Sequence, residues 1–187
     1  MKKLLALVIV MASTTVFAQK NSPNFSYSMA GIEGGFKWSS ADVDNADSNK
    51  STIGYTVGGS AVFNIAPAFG LKTGLFYNER PFESTVAGTT VKGKVSYVDV
   101  PVLFMFKFEE YAGIYIGPSL SMKLADEVSP GKLNSVKGMV IPLTVGGQFK
   151  FAPNLGVNIY FETVTSEIAT GVKNTRAVGA NLLLTFD

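Results

Sequence analysis

The sequence predicts an all-β protein, an eight-stranded antiparallel up-and-down β-barrel. Three observations carry this prediction. Apolar residues recur at every second position in eight separate segments, which is the period of a strand with one apolar face. No segment with helical spacing separates them, so consecutive strands are expected to be antiparallel. Long and short connections alternate along the chain, which places every long loop at one end of such a barrel and every short turn at the other.

The last predicted strand has the clearest alternation. Leu182 and Leu184 fall on one face, whereas Gly179 and Asn181 fall on the other. In chain order the predicted strands are residues 25–38, 52–63, 69–78, 98–108, 113–123, 136–151, 155–162 and 176–186. Pro101 and Pro142 lie inside two of these strands, and because proline donates no ladder hydrogen bond, each is predicted to mark a β-bulge.

The predicted connections fall into two classes. Long loops are expected at residues 39–51, 79–94, 125–135 and 167–175, and tight turns at residues 64–68, 109–110 and 152–154. Long extracellular loops with short periplasmic turns are typical of barrels in the bacterial outer membrane.

The N-terminus predicts export. Met1-Lys2-Lys3 is basic, residues 4–12 are apolar, and Val16-Phe17-Ala18 resembles a cleavage site. We therefore expect a signal peptide at residues 1–18 and a barrel domain over residues 19–187. Nine apolar residues are too few to span a bilayer as a helix. Removal of Lys2 and Lys3 leaves 14 basic and 14 acidic residues, and this balance gives no indication of a nucleic-acid partner.

The apolar face could point to lipid or, in a soluble barrel, to a ligand inside. Glycine is frequent on the opposite, polar face, which suits a narrow interior better than a surface in water. These glycines are Gly31, Gly35, Gly54, Gly58, Gly70, Gly74, Gly113, Gly117, Gly138, Gly146, Gly156 and Gly179. The outward aromatic residues cluster near the short turns as a periplasmic girdle: Phe63, Phe69, Phe106, Phe108, Tyr111, Phe149, Phe151 and Phe186. Such a girdle, with a sparser one of Trp38, Tyr55 and Tyr77 near the long loops, indicates that the apolar face contacts lipid.

Charged residues share the polar face and are expected inside the barrel. They are Glu33, Lys37, Lys72, Asp99, Lys107, Lys123, Lys150 and Glu162. The three acids are expected at mid-barrel height, with Lys107 and Lys150 near the periplasmic rim. Because buried charges must be paired, a salt-bridged polar lumen is favoured over a catalytic or ion-conducting cluster. Bulky residues of the same parity predict a largely filled lumen: Met29, Phe76, Tyr97, Leu103, Met105, Tyr115 and Tyr160.

Several chemistries are excluded by composition. The chain has no histidine and no cysteine, which excludes imidazole bases, thiolate nucleophiles and zinc sites built from these residues. Asp42, Asp44 and Asp47 do not form an EF-hand, because the fifth, sixth and twelfth positions hold Ala46, Asp47 and Ile53. Ser121 and Lys123 share a face, but this spacing recurs by chance on strands. We expect no enzymatic activity, no cofactor and no bound metal.

Three strands carry a family resemblance. Tyr97-Val-Asp-Val-Pro101-Val-Leu-Phe, then Tyr115-Ile-Gly-Pro118 and the final strand ending at Phe186, resembles the PorT-like outer-membrane β-barrel family of Bacteroidetes. The resemblance implies a small porin-family barrel of the Gram-negative envelope, without an assigned activity in most members. Asp187 follows Phe186, whereas many such barrels end on the aromatic residue itself.

These observations predict a protein of the cell outer membrane that acts through its extracellular loops, as a surface-interaction or envelope-integrity component. Two alternatives remain: a narrow diffusion channel for small solutes, and a soluble periplasmic barrel that binds a lipidic ligand. The expected partners are outer-membrane lipid, the barrel-assembly machinery during biogenesis, and an extracellular or periplasmic protein.

Overall fold

A computed structural model describes residues 27–109 and 111–186, which form ten β-strands. The strands are β1 (Tyr27–Val43), β2 (Ser48–Lys50), β3 (Thr52–Ala66), β4 (Phe69–Val86), β5 (Thr89–Glu109), β6 (Ala112–Ser129), β7 (Met139–Val140), β8 (Leu143–Ala152), β9 (Leu155–Val164) and β10 (Val172–Thr185). The predicted signal peptide, the start of the first predicted strand, Glu110 and Asp187 lie outside the described residues. Within these two ranges, no helix is long and apolar enough to cross a membrane.

The strands close into a barrel because β1, the first, pairs with β10, the last. The order around the barrel is β1, β3, β4, β5, β6, β8, β9 and β10, and every neighbouring pair is antiparallel. The short strand β7 pairs with β6 beyond β8, so β7 and β8 form one wall. The predicted fold, an eight-stranded antiparallel up-and-down barrel, is confirmed.

Burial follows the predicted period of two. Along β10, Asn181, Leu183 and Thr185 are buried, whereas Leu182 and Leu184 are exposed on the outside. The interior of this barrel is therefore its core, and the outer wall presents a continuous apolar surface.

Residues 79–94, predicted to be a loop, are instead a β-hairpin. β4 continues to Val86 and β5 begins at Thr89, so only Ala87 and Gly88 form the turn. Both turn residues have positive φ, 48° and 77°, as the central residues of a type I′ turn require. The loop prediction is wrong because the buried parity of β4 continues through this segment at Arg80, Phe82 and Ser84.

Other strands also extend further than predicted at the long-loop end. β1 continues to Val43 and β6 to Ser129, while β2 pairs with residues 83–85 of β4. The result is a four-stranded sheet, in the order β2, β4, β5, β6, that projects beyond the barrel. We refer to β2, together with the parts of β4, β5 and β6 that extend beyond the barrel at the long-loop end, as the projecting sheet.

The predicted strand at residues 136–151 is divided in the structure. Met139–Val140 and Leu143–Ala152 are separate strands with Pro142 between them, and Gly138 is exposed before β7 instead of facing the interior. The register along β6 is unchanged across Pro142, since the amide of Ser119 donates to its carbonyl oxygen at 2.9 Å. The bulge prediction is therefore wrong for Pro142.

Pro101 also interrupts pairing without shifting the register. Pro101 lies opposite Ser119, and Phe104 lies opposite Ile116 in the same register. The bulge prediction is wrong here too, because the two strands omit a hydrogen bond locally instead of inserting an extra residue.

Candidate functional site

The interior of the barrel has three layers along its axis. Charged and amide side chains form the middle layer, which we call the lumen network. On β4, Phe82 lies two residues nearer the long loops than Arg80; on β1, Met29 lies four residues nearer the short turns than Glu33. Apolar clusters therefore lie on both sides of the network, one at each end of the barrel.

Arg80 is at the centre of the upper part of the lumen network. Its side chain is fully buried, and its Nη2 lies 2.8 Å from Oδ2 of Asp99. Its Nε lies 3.0 Å from Oε1 of Glu162, and Nη2 lies 3.1 Å from Oε2 of the same carboxylate. The guanidinium also lies over the ring of Tyr97, 4.9 Å from its centroid. One arginine thus joins β4 to β5 and β9.

Two further side chains complete this upper part. Nζ of Lys37 lies 3.1 Å from Oε1 of Glu162. Nδ2 of Asn78 donates to Asp99 at 2.7 Å and to Glu162 at 3.2 Å. Each carboxylate therefore has several donors, as buried charges require.

The lower part of the network is centred on Glu33 and Lys72. Nζ of Lys72 lies 2.8 Å from Oε1 of Glu33 and donates to Oε1 of Gln148 at 2.9 Å. Ser60 and Asn158 both donate to the Glu33 carboxylate. Lys72 also lies over the ring of Tyr115, 4.9 Å from its centroid. This part joins β1, β3, β4, β8 and β9.

The charges of the lumen network balance. Lys37, Lys72 and Arg80 face Glu33, Asp99 and Glu162, giving three cations and three anions. The network therefore carries no net charge that would concentrate ions of one sign in the lumen.

The structure brings together five of the eight charged residues expected in the lumen: Glu33, Lys37, Lys72, Asp99 and Glu162. Lys107 and Lys150 are only partly buried, near the short turns, and Nζ of Lys107 donates to Asn64. Both lie outside the lumen network, in which Lys37, Lys72 and Arg80 pair with the three carboxylates.

Arg80 was missed by the sequence analysis because residues 79–94 were assigned to a loop. A signal for it exists. Lys72, Phe76, Asn78, Arg80 and Phe82 share one parity and are all buried, so continuation of the alternation past Asn78 would have placed Arg80 inside. The three predicted acids also outnumber the two lysines expected beside them, which leaves one negative charge without a partner.

An apolar cap lies over the network at the long-loop end. It is formed by Ala41, Phe82, Val95, Tyr97, Val140, Val164, Ile168, Ala169 and Val172. Ile168 and Ala169 belong to the connection between β9 and β10, which turns inward and is fully buried at these two residues. The amide of Lys137 donates to the carbonyl oxygen of Ile168 at 2.8 Å, so the preceding loop holds this connection in place.

An apolar floor closes the other end. It consists of Met29, Val62, Leu103, Met105, Tyr115, Tyr160 and Leu183. Five of these were expected as lumen fillers; Tyr97 belongs to the cap, and Phe76 is buried beside the network.

Glycines make room for the large rings of the floor. A Cβ on Gly146 would lie 2.6 Å from the hydroxyl oxygen of Tyr115, and one on Gly179 would lie 2.5 Å from that of Tyr160. Each ring therefore occupies a space that a side chain at the glycine would fill. At Gly31, Gly35 and Gly117 the closest neighbour of such a Cβ is instead a backbone atom of the adjacent strand.

A small cavity remains beside the network. Its volume is about 60 Å³, and its lining includes Glu33, Lys72, Asp99, Thr144 and Asn181. A space of this size holds on the order of a few water molecules. It is far smaller than an aqueous channel through the barrel.

The eight residues predicted as the periplasmic girdle lie near the short-turn end, and the rings of seven are exposed on the outer wall. Phe106 contacts two neighbours, with ring centroids 5.3 Å from Phe69 and 5.1 Å from Phe108. Tyr111 contacts Phe149 at 5.7 Å. Phe63 is the partly buried member.

The acidic loop residues are paired with cations. Asp42 lies 2.6 Å from Nη2 of Arg176, and Asp44 lies 2.6 Å from Nζ of Lys173, a contact that raises the pKa of the lysine. The described part of the chain contains no group of three or more acidic side chains placed to hold a metal ion.

Ser121 and Lys123 make separate contacts. Ser121 accepts a hydrogen bond from Nη2 of Arg80 at 3.3 Å, whereas Nζ of Lys123 lies 2.8 Å from Asp126. The lysine is thus paired with an acid and is not placed to activate the serine.

Comparison with solved structures supports the same architecture. The chain is similar to Neisserial surface protein A, NspA, with a TM-score of 0.58 at 16% identity, over 87% of this chain and 99% of that one. It is also similar to Ail, the attachment invasion locus protein of Yersinia pestis, with a TM-score of 0.50 at 19% identity, over 83% of this chain and 98% of that one. At these identities the likeness concerns the fold.

No curated protein sequence matches the chain. Residues 17–166 match the family described as outer membrane protein beta-barrel domain. The closed barrel, its apolar outer wall and this match agree on one location, the cell outer membrane, where the outer wall contacts lipid. The chain belongs to the outer membrane protein β-barrel domain family.

Proposed function

We propose that the protein is a closed, non-conducting barrel that acts at the cell surface through its long-loop end, as a surface-interaction or envelope-integrity component. The observation that carries this proposal is the filling of the interior by cap, network and floor in series. An eight-stranded barrel has an interior only about wide enough for side chains. With the lumen occupied, the projecting sheet and the loops are the parts left to contact other molecules.

The proposed function also concerns catalysis, export and the group within the family. It assigns no catalytic role, because Ser121 and Lys123 have other partners and the chain has no histidine. It includes removal of residues 1–18 as a signal peptide and insertion by the barrel-assembly machinery. The Tyr97–Pro101 and Gly117-Pro118 strands favour the PorT-like group within the family.

Conductance tests the proposal. The purified protein is refolded into a planar lipid bilayer, and folding is checked by the different mobility of unboiled and boiled samples on a detergent gel. We expect folded protein without single-channel steps. Regular steps of nanosiemens size from folded protein would contradict the proposal and support the narrow diffusion channel instead.

A further inference from the structure

The projecting sheet has two edges, and only one is covered. β2 pairs with residues 83–85 of β4 and covers the first edge. On the other edge, β7 pairs with Ser121 and Met122 of β6, and the amide of Lys123 donates to Gly138 at 2.8 Å. Beyond that point, across the described ranges 27–109 and 111–186, no strand pairs with residues 124–129 on the side away from β5. Leu124 has no partner on β5, where the register shifts, and every second residue of 125–129 directs its backbone donor and acceptor to the open side.

An apolar strip adjoins this free edge. Met122 and Leu124 of β6 are 45% and 43% exposed, and Met139 of β7 and Ile141 are 60% and 64% exposed. Met122 lies directly opposite Met139, so the four side chains are contiguous on the outer side of the wall. The strip lies at the long-loop end, on the side of the barrel where the free edge begins.

The charges at the edge are already paired within the sheet. Asp126 lies 2.8 Å from Nζ of Lys123, and Glu127 lies 3.7 Å from Nζ of Lys94. Lys94 also lies 3.1 Å from Glu79, and this hydrogen bond raises the pKa of the lysine. Charged side chains commonly protect an exposed edge against pairing with another strand, because a strand that approaches must desolvate them or meet their net charge. Here the paired charges leave that protection weak.

We propose that residues 124–129 of β6 are a docking site for an extended segment of a partner protein, which adds to the projecting sheet as a further strand. Only a polypeptide carries the alternating donors and acceptors that match such an edge. The adjoining strip of Met122, Leu124, Met139 and Ile141 selects a segment with apolar side chains at alternate positions. This inference rests on the proposed function, because it names the kind of partner that the surface would bind.

A second copy of the chain is a poorer occupant than a partner protein. Two copies in one membrane run β6 in the same direction, so the two edges meet as parallel strands. Every pair in this barrel is antiparallel, and parallel pairing is less stable per residue. A segment of another protein is free to approach in either direction.

The test uses the whole barrel in lipid nanodiscs and a fluorescent ten-residue peptide of alternating valine and threonine, flanked by lysines for solubility. The control peptide has the same side chains with N-methyl groups on all central residues, which block both of its edges. We expect a saturable rise in anisotropy with the first peptide and at least tenfold weaker binding with the second. Amide exchange at residues 124–129 should slow in the complex, whereas exchange at residues 89–91 should not change.

Two variants locate the site. The double variant Leu124→Lys, Met139→Lys should bind the peptide at least tenfold more weakly, whereas Thr90→Lys at the hairpin tip should bind it normally. Both must retain heat-modifiable mobility as evidence of folding. Equal binding of the two peptides, or equal binding to empty nanodiscs, would overturn the inference and leave the strip as a lipid contact. A silent barrel that binds no peptide overturns only this inference, whereas conductance overturns the proposed function.

Discussion

Arg80 supplies the cation that pairs with two buried carboxylates, those of Asp99 and Glu162. Asp99 and Glu162 are both buried, and the guanidinium approaches each of them within 3.0 Å. Arginine suits this position because its planar group carries five donors in fixed directions and stays charged. Lys37 reaches only Glu162 and cannot replace it.

Arg80→Gln should lower the free energy of unfolding by about 3–5 kcal/mol, because it leaves buried carboxylates without their main cation. The matched control is Lys92→Gln, which removes an exposed lysine from a 3.0 Å pair with Glu83 and should cost less than about 1 kcal/mol. Urea unfolding in lipid vesicles measures both. Equal losses for the two variants would contradict the central role assigned to Arg80.

Gly35→Ala tests the close packing of the inner face. A Cβ at this position would enter the backbone of β10, with the Cα of Asn181 at 2.7 Å, and a backbone cannot move aside as a side chain can. We expect a loss of about 1–3 kcal/mol in the free energy of unfolding. Gly59→Ala is the control, since its Cβ would meet only a carbonyl oxygen at 3.7 Å. That variant should unfold at about the same urea concentration as the parent; a loss equal to that of Gly35→Ala would argue against the packing explanation.

At the scale of the strand, the direction of each face determines the effect of a charge. Leu182 is exposed on the outer wall of β10, four residues before the girdle residue Phe186, whereas its neighbour Asn181 is buried and packs over Gly35. Leu182→Arg should cost about 2–4 kcal/mol, because it places a charge in lipid near mid-membrane. Thr90→Arg, at the tip of the exposed hairpin, carries the same new charge without this cost. Refolding into vesicles with a urea titration compares them, and a neutral Leu182→Arg would show that this face of β10 does not contact lipid.

The strands could be predicted from the sequence where one face is purely apolar and meets lipid. β10 and β9 are of this kind, and their faces were assigned correctly. In the upper half of β4 the buried parity continues through Arg80 and Phe82, but the opposite parity carries Glu79, Pro81 and Glu83 instead of apolar residues, so residue type alone no longer marks two faces. The lumen network was therefore anticipated in its acids and lysines but not in Arg80.

The cap also could not be predicted from the periodicity of the strands. Ile168 and Ala169 lie in a connection of only seven residues, 165–171, with no repeated pattern. Their burial depends on residues far away in the chain, such as Phe82 and Val95 of the hairpin. Because residues 79–94 were predicted to be a loop, the predicted barrel had no buried surface at this end against which Ile168 and Ala169 could pack.

For the whole molecule, closure of the lumen depends on the succession of cap, lumen network and floor along the barrel axis more than on any one of these layers. An ion crossing the barrel would have to pass the cap, then paired charges, then the floor. Apolar clusters lie on both sides of the network, and the cavity beside it has a volume of only about 60 Å³. Because the three layers follow one another along the axis, we expect that opening one of them leaves the barrel closed by the other two.

The double variant Phe82→Ala, Ile168→Ala removes two of the largest fully apolar side chains of the cap. It should still show no single-channel steps in a planar bilayer. Its free energy of unfolding should fall by several kcal/mol, since Ile→Ala and Phe→Ala in a core each cost about 2–5 kcal/mol. Adding Arg80→Ala opens the upper network, yet Glu33, Lys72 and the floor remain below it, so this triple variant should also be silent where it folds. Heat-modifiable mobility identifies the folded samples. Conductance in the double variant would mean that the cap alone closes the barrel and that water already fills the space between the charged side chains beneath it.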